Sequence, residues 1–187
     1  MTIEEAERLL RKYYSEKTPV FQYLYEHSHA VAEYAVKIAR QNTDKGPDIN
    51  FIHTAALLHD IGIFMTHAPG IGCYGKFAYL AHGYLGRRLL EYEGYPGHAL
   101  VCERHIGVGI SKEEVISNNL PLPGYDMLPV STEEEIVCYA DKFFSKKPGM
   151  LKTPKDIVKI IKTLEKYGPG KADVFKGFMT KYGVLEE

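Results

Sequence analysis

The sequence contains no tryptophan, only three cysteines and no long apolar run. The cysteines are Cys73, Cys102 and Cys138, an odd number without CxxC spacing. This pattern argues against a disulfide framework or a zinc knuckle and predicts free thiols in a reducing compartment. No apolar stretch approaches the ~18 residues that a membrane span needs, and the acidic N-terminus lacks the cationic start of a signal peptide. We therefore expect a cytoplasmic protein without a membrane partner.

A strong net charge is also missing. The formal charge is -1, although residues 142–187 hold eleven lysines against five acidic residues. This local excess predicts either the steering of an anionic substrate or a solvated helix face, and both interpretations remain open. The overall balance is too small to indicate a nucleic-acid binder, so we expect no nucleic-acid polymer as partner. Charge and composition do not determine the oligomeric state.

Strand-like alternation and internal repeats are absent as well, and the apolar residues recur at helical spacing. Capping boxes at Thr2–Glu5 and Ser111–Glu114 predict two helix starts, and Ser131 predicts another. The expected helices cover about 3–15, 21–41, 50–60, 77–92, 97–105, 112–118, 132–142, 153–166 and 171–182, with long loops at 62–77 and 118–130. The fold class is therefore all-α. A chain of 187 residues is within the range of one domain, so we expect a single domain over 1–187.

The most informative stretch is the apolar run that ends in His59, Asp60 and Gly62. A histidine and a carboxylate at the end of a buried helix each need a partner, because an unpaired polar group away from water costs a few kcal/mol. A divalent metal would satisfy both side chains at once. For a single His-Asp pair the commoner explanation is a hydrogen bond to nearby backbone.

Further candidate ligands on the other central helices favour the metal. These residues are His27, His82, His105 and Asp141. With the His-Asp pair they make four imidazoles and two carboxylates from five helices, which can converge inside a helical bundle. One such residue would be a satisfied core histidine, but several on successive helices are harder to explain in that way.

In this arrangement the sequence resembles the HD-domain metal-dependent phosphohydrolases, in the HDIG form and the five-element dinuclear branch. The matching elements are residues 27–35, 57–62, 82–86, 104–107 and 137–142. The family's first ligand precedes a valine by four residues, which selects His27 over His29 because Val31 follows at that distance. The resemblance implies a single HD-type helical bundle with a central metal site, a core at about 20–145 and a C-terminal helical extension at about 150–187.

The same resemblance implies a dinuclear site. His27, His59, Asp60 and Asp141 would hold one metal, and Asp60 would bridge to a second metal that His82 and His105 complete. A mononuclear site is the alternative if either of the last two histidines points away. A histidine-rich, carboxylate-bridged set without thiolate favours Fe or Mn, with Zn, Ni, Co or Mg possible.

One position departs from the family pattern. Many HDIG phosphodiesterases have a phosphate-binding lysine directly after the glycine, whereas this chain has Ile63. Phosphate recognition must then come from other basic residues. The candidates are Lys76, Arg87, Arg88, Arg104, Lys142, Lys146 and Lys147. Of these we expect Lys142 and Arg104, together with Asp60, to be the catalytic residues.

The remaining histidines and the tyrosines near the loop are weaker candidates for the site. His29 lies across the helix from His27, His53 suits a contact behind a ligand, and His98 suits a structural role. His67, Tyr74 and Tyr79 lie in or near the 62–77 loop and could contact a substrate, the tyrosines by stacking on a base.

The function implied by the resemblance is a metal-dependent phosphohydrolase. It would cleave a small phosphate ester, a nucleotide or dinucleotide, by attack of a metal-bridged hydroxide on phosphorus. Two alternatives use the same ligands: a mixed-valent di-iron oxygenase of the HD superfamily, and a nucleotide-binding HD module without catalysis. Dependence of turnover on O₂ or on water would separate the two enzymes.

Overall fold

Helices make up nearly all the regular structure of the computed structural model, which describes residues 1–146, 150–168 and 170–185. Within these ranges the helices are α1 Ile3–Tyr13, α2 Pro19–Gln41, α3 Ile49–Leu58, α4 His82–Tyr92, α5 Pro96–Arg104, α6 Lys112–Ser117, α7 Thr132–Lys142, α8 Ile157–Glu165 and α9 Lys171–Tyr182. Two-residue strands, β1 His67–Ala68 and β2 Cys73–Tyr74, pair antiparallel inside the expected 62–77 loop. The all-α prediction is confirmed.

The expected helix caps are present. Thr2 and Glu5 form a reciprocal capping box at the start of α1, and Ser111 and Glu114 form another at α6. At α3 the cap is Asp48, which accepts a hydrogen bond from the Phe51 N–H at 2.9 Å. These short-range patterns are well predicted because each cap uses only residues adjacent in the chain.

Three predicted helix starts are wrong. The fourth helix begins at His82 instead of residue 77, because the Phe77 backbone pairs with Met65 and His67 of the preceding segment. The eighth begins at Ile157 instead of residue 153, after the cap Asp156. The second begins at Pro19, its first residue, instead of residue 21. A proline fits a first helical turn, where its missing N–H has no partner to lose.

Helix α3 lies at the centre of the bundle, against α1, α2, α5 and α7. Its side chains Ile52, Ala55, Leu57 and Leu58 are fully buried. Residues 54–58, the second half of α3, are all buried, whereas an amphipathic surface helix exposes one face. The end of α3 therefore delivers His59 and Asp60 into the protein interior.

A close approach of two backbones fixes α4 beside this end. A Cβ at Gly62 would lie 2.2 Å from the His82 carbonyl oxygen, and one at Gly86 would lie 2.3 Å from Cys102 Sγ. Only glycine fits at either position without moving backbone or a buried thiol. The first turn of α4 can thus reach the segment that follows α3.

Helix α9 packs on α7, and α8 packs on α9. The Tyr139 ring of α7 contacts Phe175, Phe178 and Tyr182 of α9, and its hydroxyl donates to the Gly183 carbonyl oxygen at 3.0 Å. The described helices include none with the length and apolarity that a bilayer crossing requires.

Candidate metal centre

Six side chains from five parts of the bundle meet in the interior. Each lies at or near a helix end, except His27 in the middle of α2. They are His27, His59, Asp60, His82, His105 and Asp141, and all are buried. Three of the four histidines and both aspartates belong to the two groups of potential metal ligands found in the described residues. The structure therefore brings together every metal ligand that the sequence predicted; their binding of metal remains a prediction.

The first half of the centre consists of His27, His59 and Asp141. The two Nε2 atoms of the histidines are 3.3 Å apart. Asp141 Oδ1 lies 3.1 Å from Nε2 of His27 and 3.5 Å from Nε2 of His59. Asp60 Oδ2 lies 3.3 Å and 3.2 Å from the same nitrogens. Two nitrogens and two carboxylate oxygens thus face one point.

The second half consists of His82 and His105. Their Nε2 atoms are 3.2 Å apart. The other oxygen of Asp60, Oδ1, lies 3.2 Å from Nε2 of His82 and 3.4 Å from Nε2 of His105. Asp60 therefore belongs to both halves, with one oxygen facing each pair of histidines.

Backbone carbonyl groups set the orientation of three of these imidazoles. Nδ1 of His59 lies 2.6 Å from the Ala56 carbonyl oxygen. Nδ1 of His82 lies 2.6 Å from the carbonyl oxygen of residue 79, and Nδ1 of His105 lies 2.7 Å from that of residue 102. A carbonyl oxygen only accepts, so each Nδ1 carries a proton, and Nε2 presents a lone pair when the imidazole is neutral. Such a contact on the far nitrogen is the usual support of a metal-binding histidine.

The donor set suits divalent cations. Facing lone pairs on two neutral imidazoles repel, unless a proton or a cation lies between them. Neither oxygen of the fully buried Asp60 side chain has a partner with hydrogen-bond geometry. Oδ2 makes an ion pair with Lys146 at 2.8 Å, whereas Oδ1 faces His82 and His105. The contacts of Asp60 with the histidines have ion-pair distances but not hydrogen-bond geometry. Orphaned buried carboxylate oxygens are costly, and a cation would satisfy them. The cluster could hold a metal on each side of Asp60.

Burial and charge act against each other on the ionisable groups. Burial alone would raise the pKa of both aspartates. Positive charge on His59 and Lys146 instead holds the pKa of Asp60 well below its usual value. Lys142 and Lys146 do the same for Asp141. Burial favours neutral His59, yet the two carboxylates raise its pKa to about 9. Both aspartates are therefore ionised at neutral pH and attract cations.

Lys146 is also part of the centre. Its Nζ lies 2.8 Å from Asp60 Oδ2 and 3.9 Å from Asp141 Oδ1. The hydroxyl of Tyr79 is within hydrogen-bonding reach of Lys146, and the Tyr79 ring lies 4.7 Å from the His82 ring. The sequence placed Lys146 among seven possible phosphate contacts without distinguishing it. Its position depends on the turn after α7, which no local motif indicates.

Of the two basic residues expected to be catalytic, one contacts the centre and the other does not. Lys142 Nζ lies 2.7 Å from Asp141 Oδ2 and donates to the His105 carbonyl oxygen at 3.2 Å. Arg104 instead contacts both carboxylate oxygens of Glu134 at 2.9 Å, and these contacts do not involve the centre. Ile63, at the position where many HDIG phosphodiesterases have a lysine, is buried.

The other basic candidates are spread over the surface or lie beyond the described part. Lys76 and Arg88 are exposed, and Arg87 pairs with Glu103 at 2.6 Å. Lys147 lies outside the described residues.

The remaining histidines lie outside the cluster. His29 contacts Glu7 at 3.4 Å and packs on the Tyr25 ring. His98 is buried, with Nε2 2.9 Å from Thr54 Oγ1, in keeping with the structural role expected for it. His67 is exposed on β1.

The HD domain family model matches residues 24–145 of the chain. An uncharacterised protein of Methanocaldococcus jannaschii is 38% identical over 144 residues, which make up 75% of this chain and 74% of that protein. A tRNA (cytidine(56)-2'-O)-methyltransferase of Thermoplasma volcanium is 37% identical over 124 residues, 66% of this chain but 32% of the methyltransferase. The chain thus spans about a third of that enzyme's length.

Solved structures show the same fold at low sequence identity. The HD domain of the phosphodiesterase PgpH from L. monocytogenes superposes with a TM-score of 0.52 and 15% identity, over 92% of this chain and 95% of that domain. The complex of that domain with cyclic-di-AMP gives a TM-score of 0.50 and 16% identity, over 96% of this chain and 99% of that one. The family match covers well over half of the sequence, and so the chain belongs to the HD domain family.

Proposed function

We propose that the protein is a metal-dependent phosphohydrolase that cleaves a small phosphate ester, a nucleotide or dinucleotide in the first instance. The observation that carries the proposal is the position of Asp60. Its two oxygens face two separate histidine pairs at 3.2–3.4 Å. A carboxylate shared in this way suits a pair of cations a few ångströms apart, which is the arrangement used in many phosphate-cleaving enzymes.

The first cation would be held by His27, His59, Asp141 and Oδ2 of Asp60. The second would be held by His82, His105 and Oδ1 of Asp60. When bound, such ions act as Lewis acids that lower the pKa of water and offset charge on the phosphoryl oxygens. The nitrogen and oxygen donors without thiolate favour Fe or Mn, in keeping with the sequence.

The chain itself supplies the groups that bind and orient the phosphate. Lys142 and Lys146 bring two ammonium groups to the aspartates of the centre, and Tyr79 brings a hydroxyl beside Lys146. Fixed positive groups aimed at a phosphoryl group stabilise the charge that grows in the transition state. In this proposal Lys146 replaces the lysine that other HDIG sequences carry at position 63.

The substrate class is the finer part of the proposal. A small anionic phosphate is supported by the two ammonium groups at the centre, and the cyclic-di-AMP complex of the PgpH domain makes nucleotides and cyclic dinucleotides the first choice for a substrate panel. A tRNA belongs in the same panel, because two relatives are named as tRNA methyltransferases. We expect no turnover of that polymer.

The test combines metal content with phosphate release. Protein purified without chelator should contain close to two metals per chain and should release phosphate from one member of the panel with added Fe²⁺ or Mn²⁺. Asp60→Ala should lose both metal and activity. His29→Ala, a histidine change on α2 away from the cluster, should keep both.

Three results would contradict the proposal. Full activity in Asp60→Ala would overturn the site. Two bound irons with O₂ consumption and no hydrolysis would point to the oxygenase. Tight nucleotide binding without any product would point to a binding module.

A further inference from the structure

We propose that Lys146 is a built-in counter-ion of the first half of the centre, and that a cation binds there only when the Lys146 ammonium moves away. The inference rests on the proposed function in one respect: it takes the His/Asp cluster as a metal centre. It adds a residue that governs how readily one of the two cations binds.

The first observation is that Lys146 and the two histidines face the same oxygens. Asp60 Oδ2 lies 2.8 Å from Lys146 Nζ and 3.2–3.3 Å from Nε2 of His59 and His27. Asp141 Oδ1 also faces both histidines and lies 3.9 Å from Nζ. The ammonium therefore lies against the carboxylate oxygens that would complete the first cation's ligand set.

The second observation concerns space and charge. A divalent transition metal lies about 2.0–2.2 Å from each nitrogen and oxygen ligand. A cation at that distance from Asp60 Oδ2 would be a near neighbour of an ammonium only 2.8 Å from the same atom. Two positive charges in a buried site of low dielectric repel strongly. The ammonium and the cation therefore compete for the same carboxylate oxygens.

The two halves of the centre differ in this respect. Lys146 contacts Oδ2 of Asp60, whereas His82 and His105 face Oδ1. Competition by Lys146 therefore weakens cation binding in the first half, which has more ligands, and leaves cation binding in the second half nearly unaffected. The two cations should bind in unequal steps, with the His82 and His105 side less sensitive to residue 146.

The Lys146 side chain can move outward when a cation displaces it. This side chain is 21% exposed, and the Tyr79 hydroxyl is within hydrogen-bonding reach. Buried Phe143 and Phe144 hold the chain that leads to it. The backbone can therefore stay in place while the side chain swings outward, where it would meet the phosphate of a substrate.

The test is a calorimetric titration of the chelator-treated protein with Mn²⁺ alone, beside thermal unfolding with and without Mn²⁺. In Lys146→Met one of two binding steps should become on the order of tenfold tighter, equivalent to roughly 1.4 kcal/mol. The melting temperature of the metal-free variant should fall, because Asp60 loses its lysine counter-ion. The rise of the melting temperature with Mn²⁺ should be larger than in the wild type.

Two matched variants separate charge from other effects. Lys146→Arg keeps the positive charge and should bind Mn²⁺ much as the wild type does. Lys152→Met removes an exposed lysine of the same C-terminal segment, 3.9 Å from Glu26, and should change neither affinity nor stability. If Lys146→Met does not fold, Lys146→Gln, which keeps a polar side chain, gives the same comparison.

The outcomes distinguish this inference from the function on which it rests. Equal Mn²⁺ affinities in the wild type and in Lys146→Met would overturn the inference and leave the metal centre intact. Failure of both proteins to bind Mn²⁺, Fe²⁺ or Zn²⁺ would overturn the metal centre and the proposed function together.

Discussion

Gly62 lies directly against the backbone of His82, so that a Cβ at position 62 would be 2.2 Å from the His82 carbonyl oxygen and 2.5 Å from the Gly86 nitrogen. The glycine of the HDIG segment thus does more than end a helix. It allows α4 to begin next to Asp60, and this brings His82 within 3.2 Å of the shared carboxylate.

Gly62→Ala should therefore destabilise the protein and disturb the second half of the centre. We expect a loss of about 1–3 kcal/mol in the free energy of unfolding, because backbone must shift to admit the methyl group. Urea unfolding measures this loss, and bound metal per chain measures the second effect. Gly124→Ala is the control, since a Cβ there meets nothing within 4 Å. Equal stability of the two variants would show that the backbones separate without cost.

Removing one histidine of the second half should cost one metal. His82→Ala should leave the first half intact, because none of the contacts of His27, His59 and Asp141 with one another involves His82. We expect about one metal per chain, against two in the wild type, and a large loss of turnover. Elemental analysis of the purified variants gives the number. Two metals in His82→Ala would contradict the division of the centre into halves.

The two basic residues predicted to be catalytic should respond differently to substitution. Lys142→Ala removes an ammonium 2.7 Å from Asp141 and should lower kcat/KM on the order of tenfold to a hundredfold, as expected for a lost electrostatic contact at a phosphoryl group. Steady-state kinetics on the identified substrate provides the measurement. Unchanged kinetics would remove Lys142 from the catalytic residues.

Arg104→Ala should mainly change stability. The guanidinium contacts both carboxylate oxygens of buried Glu134, and without it that charge keeps a hydrogen bond from the Val130 N–H. We expect roughly 1–3 kcal/mol of destabilisation in urea unfolding, with turnover of the folded variant little changed. Arg88→Ala, an exposed arginine, is the control. A folded Arg104→Ala without activity would restore the catalytic role predicted from the sequence.

His98 should make the protein sensitive to acid. Burial, with a smaller contribution from the charged N-terminus, lowers the pKa of His98 from 6.5 to about 4. Above pH 6.5 both the folded and the unfolded chain carry this imidazole neutral. As the pH falls from 6.5 to 4, the unfolded chain takes up the proton first, so stability is lost over that interval.

His98→Gln should flatten this dependence. The free energy of unfolding of the wild type should fall by up to about 3 kcal/mol more than that of the variant between pH 6.5 and pH 4. Buried His105, whose pKa is lowered to about 3, contributes to the decline in both proteins. Urea unfolding at several pH values measures the difference. Parallel curves would mean that His98 is protonated in the folded state as easily as in the unfolded one.

The sequence predicted those parts of the molecule that depend on neighbouring residues. The capping boxes, the buried α3 and the order of the six candidate ligands are all visible as local patterns. The start of α4 was placed too early because the backbone of Phe77 bonds to residues ten or more positions earlier. Lys146 could not be singled out, since its contact with Asp60 spans nearly half of the chain and depends on how α7 lies against α3.

The aromatic cluster behind α7 has a consequence for the order in which the protein is made. Tyr139 precedes Asp141 by two residues and is covered by Phe175 and Phe178 of α9. His27, His59 and Asp60 leave the ribosome long before α9 does, and domains tend to fold from the N-terminus as they emerge. The packing around Tyr139 on α7 is complete only after α9 has left the ribosome exit tunnel. The helix that carries Asp141 therefore lacks part of its packing until synthesis of the chain is nearly finished.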